Sequence, residues 1–272
     1  MNRLRVNDYD MAYIEVGAGP PLVCVHGSLC DFRVWSPVLG LLSRRHRVIA
    51  PSLRRFFPEH WDGIGSGFTI AQHAADLIAF IEGLGAGPVD LLGHSRGGHL
   101  AFRVAQRRPD LLRKLILAEP GGDLDASLAL ADTPAPSRPP LRAHVAAAAQ
   151  KIATGDIDGG LAHFWDAIEG EGAWLRLTAA AKQALRDNAL TLLGQVNEAR
   201  QPYSRADAEA IRVPTLFIGG QDTAGSLARV LRALAAHVQG AQVAMIPHAT
   251  HMMFEDDPMR FSGAVLDFLA AA

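Results

Sequence analysis

One serine in the chain stands in a pattern that could make it a nucleophile. The sequence GHSRG over residues 93–97 centres on Ser95, follows the largely apolar residues 88–92 and precedes apolar positions at helical spacing over 96–107. A serine hydroxyl is a weak nucleophile until it is aimed at a base, and a sharp turn between a strand and a helix exposes it for that purpose. Glycines relieve the crowding of such a turn. Because the motif is short, its meaning depends on this strand and helix.

The elements around the serine alternate between strands and helices. The pattern predicts strands over 22–25, 47–50, 88–92, 115–118, 213–218 and 243–246. It predicts helices over about 35–43, 70–84, 96–107, 226–238 and 257–270. Residues 1–17 suggest two further short strands. This alternation indicates an α/β protein with a parallel sheet and right-handed crossovers.

The alternation is interrupted in the middle of the chain. Residues 121–140 contain Pro134, Pro136, Pro139 and Pro140 and are expected to form a loop. Residues 141–209 have a wholly helical pattern, which we interpret as an inserted cap. We therefore predict a first part of the core over 1–120, a helical cap with its Pro-rich leading loop over 121–209, and a second part of the core over 210–272.

The chain resembles the α/β-hydrolase superfamily, and within it the capped esterases, lactonases and carbon–carbon bond hydrolases. The resemblance covers nearly the whole chain apart from the cap. It rests on four features in the expected order, namely HG at 26–27, the turn at Ser95, GGQD at 219–222, and His251 followed by EDDP at 255–258. It implies the α/β-hydrolase fold, with a mostly parallel eight-stranded sheet, helices on both faces and an inserted helical cap.

The resemblance also implies a catalytic triad of Ser95, Asp222 and His251, in the chain order expected for this fold. Asp222 follows a predicted strand where the superfamily has its acid, and would hold the imidazole in one tautomer. The same residues also suit a turn. Glu119 follows a different strand and is the alternative acid, because some members carry the acid there. His248 is the alternative base, although small residues are usual at its place.

Two backbone amides are expected to bind the oxyanion that develops during acyl transfer. One is the amide of Arg96, directly after the nucleophile. The resemblance assigns the other to Ser28, after the HG turn. Arg54, in a loop that departs from the superfamily's usual Asp-x-x-Gly turn, either meets an anionic substrate or lies at the solvated surface. The candidate residues of a substrate pocket are His26, Trp35, Arg54, His94, Trp165 and Met252.

The composition and charge of the chain indicate which kinds of molecule the protein binds. The 272 residues carry a net charge of −2 and no basic stripe, which argues against nucleic acid. No segment has the pattern of a signal peptide or a membrane span, so we predict a cytoplasmic enzyme with a small-molecule substrate. Cys24 and Cys30 offer no disulfide framework, and no motif indicates a metal or another cofactor. Monomer and homodimer both remain open.

These observations predict a serine hydrolase that cleaves a small carboxylic ester or lactone through an acyl-enzyme at Ser95. Two alternatives use the same triad, namely hydrolysis of a carbon–carbon bond in a vinylogous diketone, and perhydrolase chemistry with peroxide in place of water. An alternative from another class is a ligand-binding protein without catalysis. The presence of all three triad residue types argues against it.

Overall fold

The computed structural model describes residues 1–128 and 141–271. Its strands are β1 Asn2–Val6, β2 Tyr9–Val16, β3 Pro21–Val25, β4 Arg47–Pro51, β5 Val89–His94, β6 Leu112–Ala118, β7 Thr215–Gly220 and β8 Gln242–Ile246. Its α-helices are α1 Ser36–Leu42, α2 Ile70–Gly83, α3 Arg96–Arg107, α4 Leu141–Ala153, α5 Ile157–Glu169, α6 Ala173–Arg176, α7 Ala179–Asp187, α8 Thr191–Asn197, α9 Arg205–Glu209, α10 Ser226–His237, α11 Met253–Asp256 and α12 Pro258–Ala270. Short 3₁₀ helices lie at Phe32–Trp35, Pro109–Leu111 and Ala126–Leu128.

The strands form one sheet in the order β1-β2-β4-β3-β5-β6-β7-β8. The pairs β1–β2 and β2–β4 are antiparallel, and every later pair is parallel. The predicted eight-stranded, mostly parallel sheet is therefore confirmed, and so are the two short strands at the start. The carboxyl ends of β3, β5, β6, β7 and β8 share one edge, where open α/β sheets carry their sites.

Both faces of this sheet are covered. In β3, Leu22 and Cys24 belong to one apolar cluster, while Val23 and Val25 belong to the other. Side chains alternate between the faces of a strand, so a continuous apolar run indicates burial on both sides. The two cysteines are free and buried. No helix within the described ranges 1–128 and 141–271 is long and apolar enough to cross a membrane.

The insertion between β6 and β7 is helical where the structure describes it. Helices α4 to α8 bury apolar side chains in the same cluster as Leu22, among them Val145, Phe164 and Leu192. Helix α9 instead contacts α10, and its Ala208 lies in the other cluster. Of the predicted Pro-rich loop over 121–140, residues 121–128 are described, and all four of its prolines lie outside the described residues.

Candidate active site

Ser95 occupies the turn between β5 and α3. Its backbone has φ 54° and ψ −117°, a strained conformation for a residue with a side chain. A Cβ at Gly93 would lie 2.3 Å from the carbonyl oxygen of Gly97, and one at Gly97 would lie 2.2 Å from that of Val25. The two glycines are therefore required by the close approach of α3 to β5 and β3. The local geometry is the strand–turn–helix that the motif predicts.

His251 lies in the loop between β8 and α11 and is buried. Its Nδ1 is 2.6 Å from Oε2 of Glu119, and its carbonyl oxygen accepts a hydrogen bond from Nε2 of His94 at 3.0 Å. One partner is next to Ser95 in the sequence, and the other is next to a residue that contacts Ser95. His94 precedes Ser95, and Glu119 follows Ala118, whose carbonyl accepts a hydrogen bond from the Ser95 amide. The predicted histidine therefore packs against His94, the residue before the predicted serine, with 4.3 Å between the two ring centroids.

The carboxylate beside this histidine belongs to Glu119 and not to Asp222. Oε1 of Glu119 accepts a hydrogen bond from the Gly220 amide at 2.8 Å, which leaves Oε2 for His251. The side chain of Asp222 is exposed, and its amide donates to the carbonyl of Ala249. The expectation that Asp222 orients the imidazole is therefore wrong. The turn interpretation fits Asp222, and the alternative acid occupies the position.

Burial disfavours the charged form of both partners in this hydrogen bond. It raises the pKa of Glu119 to about 7, although hydrogen-bond donors such as the Gly220 amide oppose the rise. It lowers the pKa of His251 to about 3. The imidazole is consequently neutral at neutral pH. Because its Nδ1 donates to the carboxylate, its Nε2 is the nitrogen that can accept a proton.

The amides of Ser28 and Arg96 lie at this same edge of the sheet. Ser28 is in the loop after β3, and a Cβ at Gly27 would lie 3.0 Å from Cβ of Ser95, so this loop passes directly beside the serine. Arg96 is the first residue of α3, where the helix dipole favours negative charge. Neither amide donates to an acceptor within the part of the chain that the structure describes. Both are thus available to an oxyanion.

Two of the candidate pocket residues line a cavity beside these loops. Trp165, from α5, and Met252, which follows His251, form part of the wall of a cavity of about 380 Å³. The loop after β3 contributes Leu29, and α7 contributes Leu185. The cavity therefore lies between the helical insertion and the loops that carry Ser28 and His251.

His26 and His94, two further candidates for the pocket, have structural positions, so the structure corrects their assignment. Nε2 of His26 accepts a hydrogen bond from the Leu53 amide at 3.0 Å, which leaves its Nδ1 to donate to the carbonyl of Gly27. His94 is buried, and its ring packs against the ring of His251. His248, the alternative base, is exposed and has a positive φ of 56°.

Trp35 and Arg54 do not line the cavity either. Trp35 is fully buried and packs against the ring of Phe254 in the core. The guanidinium of Arg54 makes two hydrogen bonds to the carboxylate of Asp76, at 2.7 and 2.9 Å. Its charge is already paired within the protein, so it is not available to an anionic substrate.

Three polar residues of the insertion contact residues of the site, and no pattern in the sequence predicted these contacts. Oε2 of Glu169 lies 2.6 Å from the hydroxyl of Thr250, the neighbour of His251. Gln195 contacts Ser28, and Glu198 contacts Arg96. No motif marks these positions, because their partners are more than 80 residues away along the chain.

Comparison with curated proteins finds relatives over part of the chain. This chain is 32% identical over 120 residues to the soluble epoxide hydrolase of Corynebacterium sp. (strain C12). The aligned region covers 42% of this chain and 39% of that protein. The chain is 39% identical over 107 residues to the 2-hydroxy-6-oxo-2,4-heptadienoate hydrolase of Pseudomonas putida, which covers 38% of each. The chain is thus matched to less than half the length of these relatives.

Solved structures match over nearly the full length. The enol-lactonase of Burkholderia xenovorans LB400 superposes with a TM-score of 0.74 at 22% identity, covering 99% of this chain and 100% of that one. A thermophilic esterase of Thermogutta terrifontis gives 0.76 at 24% identity, with 99% and 98% covered. Both show the same fold. A family model for the alpha/beta hydrolase family matches residues 22–264. With this match over most of its length, the chain belongs to the alpha/beta hydrolase family.

Proposed function

We propose that the protein is a serine hydrolase that cleaves a small carboxylic ester or lactone through an acyl-enzyme at Ser95. The observation that carries the proposal is the arrangement of three side chains. Ser95 occupies a strained turn, the ring of the preceding His94 lies 4.3 Å from the ring of the buried His251, and Oε2 of Glu119 lies 2.6 Å from Nδ1 of His251. This arrangement leaves one nitrogen of His251 free to take the serine proton.

The reaction follows from these positions. His251 accepts the proton of the Ser95 hydroxyl while the oxygen attacks the carbonyl carbon of the ester. The amides of Ser28 and Arg96 donate to the oxyanion of the tetrahedral intermediate. The carbon–oxygen bond to the alcohol then breaks, and His251 returns the proton to the departing alkoxide. Water, deprotonated by the same histidine, attacks the carbonyl carbon of the acyl-enzyme. The bond from that carbon to the Ser95 oxygen then breaks, His251 returns the proton to this oxygen, and the acid is released.

The cavity supports a substrate of modest size with an apolar part. Its volume of about 380 Å³ falls within the range of small-molecule sites. Most of its lining is apolar and includes Trp165, Leu177 and Leu185, while Asp31 and Arg33 add polar groups. An aliphatic or aromatic acyl group of a few carbons would bury its surface against such a wall.

A second candidate is hydrolysis of a carbon–carbon bond with the same triad. The observation that favours it is the identity of 39% to the hydrolase of 2-hydroxy-6-oxo-2,4-heptadienoate, whose name describes a conjugated keto acid. In this reaction Ser95 attacks a ketone, and the leaving group is a carbanion equivalent that requires protonation. Product analysis on a conjugated keto acid and on a simple ester separates the two candidates.

The test compares Ser95→Ala with a matched serine variant, Ser66→Ala, at an exposed position. We expect Ser95→Ala to lower hydrolysis of p-nitrophenyl esters by about 10⁴-fold or more, and Ser66→Ala to leave it unchanged. A fluorophosphonate probe should label the unsubstituted protein at Ser95. Circular dichroism shows whether each variant is folded. Retained turnover in a folded Ser95→Ala protein would refute the proposal, and absence of labelling would favour a ligand-binding role.

A further inference from the structure

The proposed oxyanion amides lie in the loop after β3 and at the start of α3. Side chains from both places form hydrogen bonds to one short segment of the helical insertion. The hydroxyl of Ser28 donates to Oε1 of Gln195 at 2.7 Å. The guanidinium of Arg96 donates to both carboxylate oxygens of Glu198, at 2.6 and 2.7 Å. Gln195 lies in α8, and Glu198 directly follows the last residue of that helix. Two segments that are far apart in sequence thus contact the same four-residue segment, 195–198.

The guanidinium of Arg96 has little freedom to move. It is almost fully buried, and its Nη2 also lies 2.9 Å from Nδ1 of His73. The ring of Phe68 covers its face, with 4.6 Å from the guanidinium carbon to the ring centroid. A planar group held on two sides by hydrogen bonds and on its face by a ring has one favoured position.

Glu198 is equally restrained. It is 8% exposed and accepts a further hydrogen bond from Arg200 at 2.6 Å. Burial alone would raise the pKa of Glu198, but Arg96 and Arg200 hold it below its usual value. The carboxylate is therefore charged at neutral pH. A buried charged pair of this kind is costly to break, because either partner would be left without compensation.

Placement of the amides matters more for the transition state than for substrate binding. An oxyanion hole stabilises the tetrahedral intermediate when its donors lie about 2.7–3.1 Å from the oxyanion. The side chains of Ser28 and Arg96 share their Cα atoms with the amides beside them, so a restraint on the side chain limits the position of the amide. We propose that Gln195 and Glu198 are positioning residues that hold the two oxyanion amides in place. This inference rests on the proposed function.

The same helix offers a control for a purely structural role. Arg103, seven residues after Arg96 on α3, is also buried and pairs with Asp207 at 3.1 Å. It therefore ties α3 to the chain that returns from the insertion, but from the opposite end of the helix. Loss of this pair should weaken the fold without moving the Arg96 amide.

The first test concerns the hydrogen bond of Ser28. Gln195→Met keeps the length of the side chain but removes the acceptor, whereas Gln195→Glu keeps an acceptor. We expect Gln195→Met and Ser28→Ala each to lower kcat for ester hydrolysis about tenfold, with KM within about twofold, since one donor is displaced and not lost. The double variant should be no slower than either single one, because both changes break the same bond. Gln195→Glu should restore kcat.

The second test concerns the charged pair. We expect Glu198→Gln to lower kcat about 100-fold with little change in KM, while Asp207→Asn leaves both within about twofold. Thermal unfolding should show a lower Tm for both. If Glu198→Gln does not fold, the Gln195 variants decide the question alone.

The outcomes separate this inference from the proposed function. If the unsubstituted protein hydrolyses esters and is labelled at Ser95, but Gln195→Met and Ser28→Ala retain full kcat, the positioning role is refuted and the proposed function stands. The same holds if Asp207→Asn lowers kcat as much as Glu198→Gln. If the unsubstituted protein shows neither turnover nor labelling, the proposed function fails and the inference fails with it.

Discussion

Two neighbouring parallel strands, β6 and β7, are each followed by a carboxylate at the same edge of the sheet, and only one carboxylate reaches His251. Glu119, directly after β6, is 1% exposed and forms a hydrogen bond with His251. Asp222, two residues after β7, is exposed. A position at the carboxyl edge of a sheet is therefore not sufficient for a place in the site. The direction in which the chain leaves the strand decides it.

The end of β7 shows why the two differ. A Cβ at Gly219 would lie 3.2 Å from Oε1 of Glu119, and the Gly220 amide donates to that same oxygen. The lack of a side chain at Gly219 thus leaves room for the Glu119 carboxylate to cross the end of β7. The amides of Gln221 and Asp222 then donate to the carbonyls of Ile246 and Ala249. These bonds use the backbone of the turn, and the Asp222 side chain faces solvent.

The largest expected effect comes from Glu119→Gln. The amide of glutamine can donate to Nδ1 of His251, which favours the tautomer whose Nε2 already carries a proton. We expect kcat for ester hydrolysis to fall by about 10³–10⁴-fold with an unchanged circular dichroism spectrum. Activity above a tenth of the unsubstituted level would show that Glu119 does not orient the base.

The next effect comes from Gly220→Ala. The new Cβ would lie 2.2 Å from the carbonyl oxygen of Thr250 and 2.4 Å from that of Ala249, so the loop before His251 must shift. A displacement of about 1 Å in a reacting group costs about 100-fold in rate. Steady-state kinetics and thermal unfolding should show both a lower kcat and a lower Tm. A variant with normal kcat would mean that this loop adjusts without moving the histidine.

The pH profile should show the ionisation of the site. Burial raises the pKa of Glu119 to about 7, so the carboxylate takes up a proton as the pH falls through about 7. A protonated carboxyl stabilises the imidazolium less well, and we expect kcat/KM to fall about tenfold per pH unit below that point. Glu119→Gln should lack this limb. A flat profile between pH 8 and pH 5.5 for the unsubstituted protein would contradict the assignment.

The smallest effect is expected for Asp222→Asn. Asparagine suits the same turn, and the side chain makes no contact with His251, so kcat and KM should stay within about twofold of the unsubstituted values. The pH profile should also be unchanged. A loss comparable to that of Glu119→Gln would reverse the comparison between the two strands.

Much of the fold follows from local patterns. The predicted helix over 96–107 has the same bounds in the structure as α3, and the predicted strands lie within one to three residues of the observed ones. Strong hydrophobic periodicity and the glycines of the turn explain this agreement, since both act within a few residues. Ser95 and His251 could be recognised because short local motifs surround them.

Glu119, Gln195 and Glu198 make contacts that no local sequence pattern records. Glu119 and Asp222 each follow an apolar strand, and the sequence alone offered no measure of which carboxylate faces His251. The contacts of Gln195 and Glu198 join residues more than 100 positions apart. By itself, the sequence determined the order of elements and the turn at Ser95, and it indicated His251 as the expected base. Only the tertiary structure decided which carboxylate contacts that histidine and which part of the insertion contacts Ser28 and Arg96, because chain direction after a strand and packing between distant segments are properties of the folded molecule.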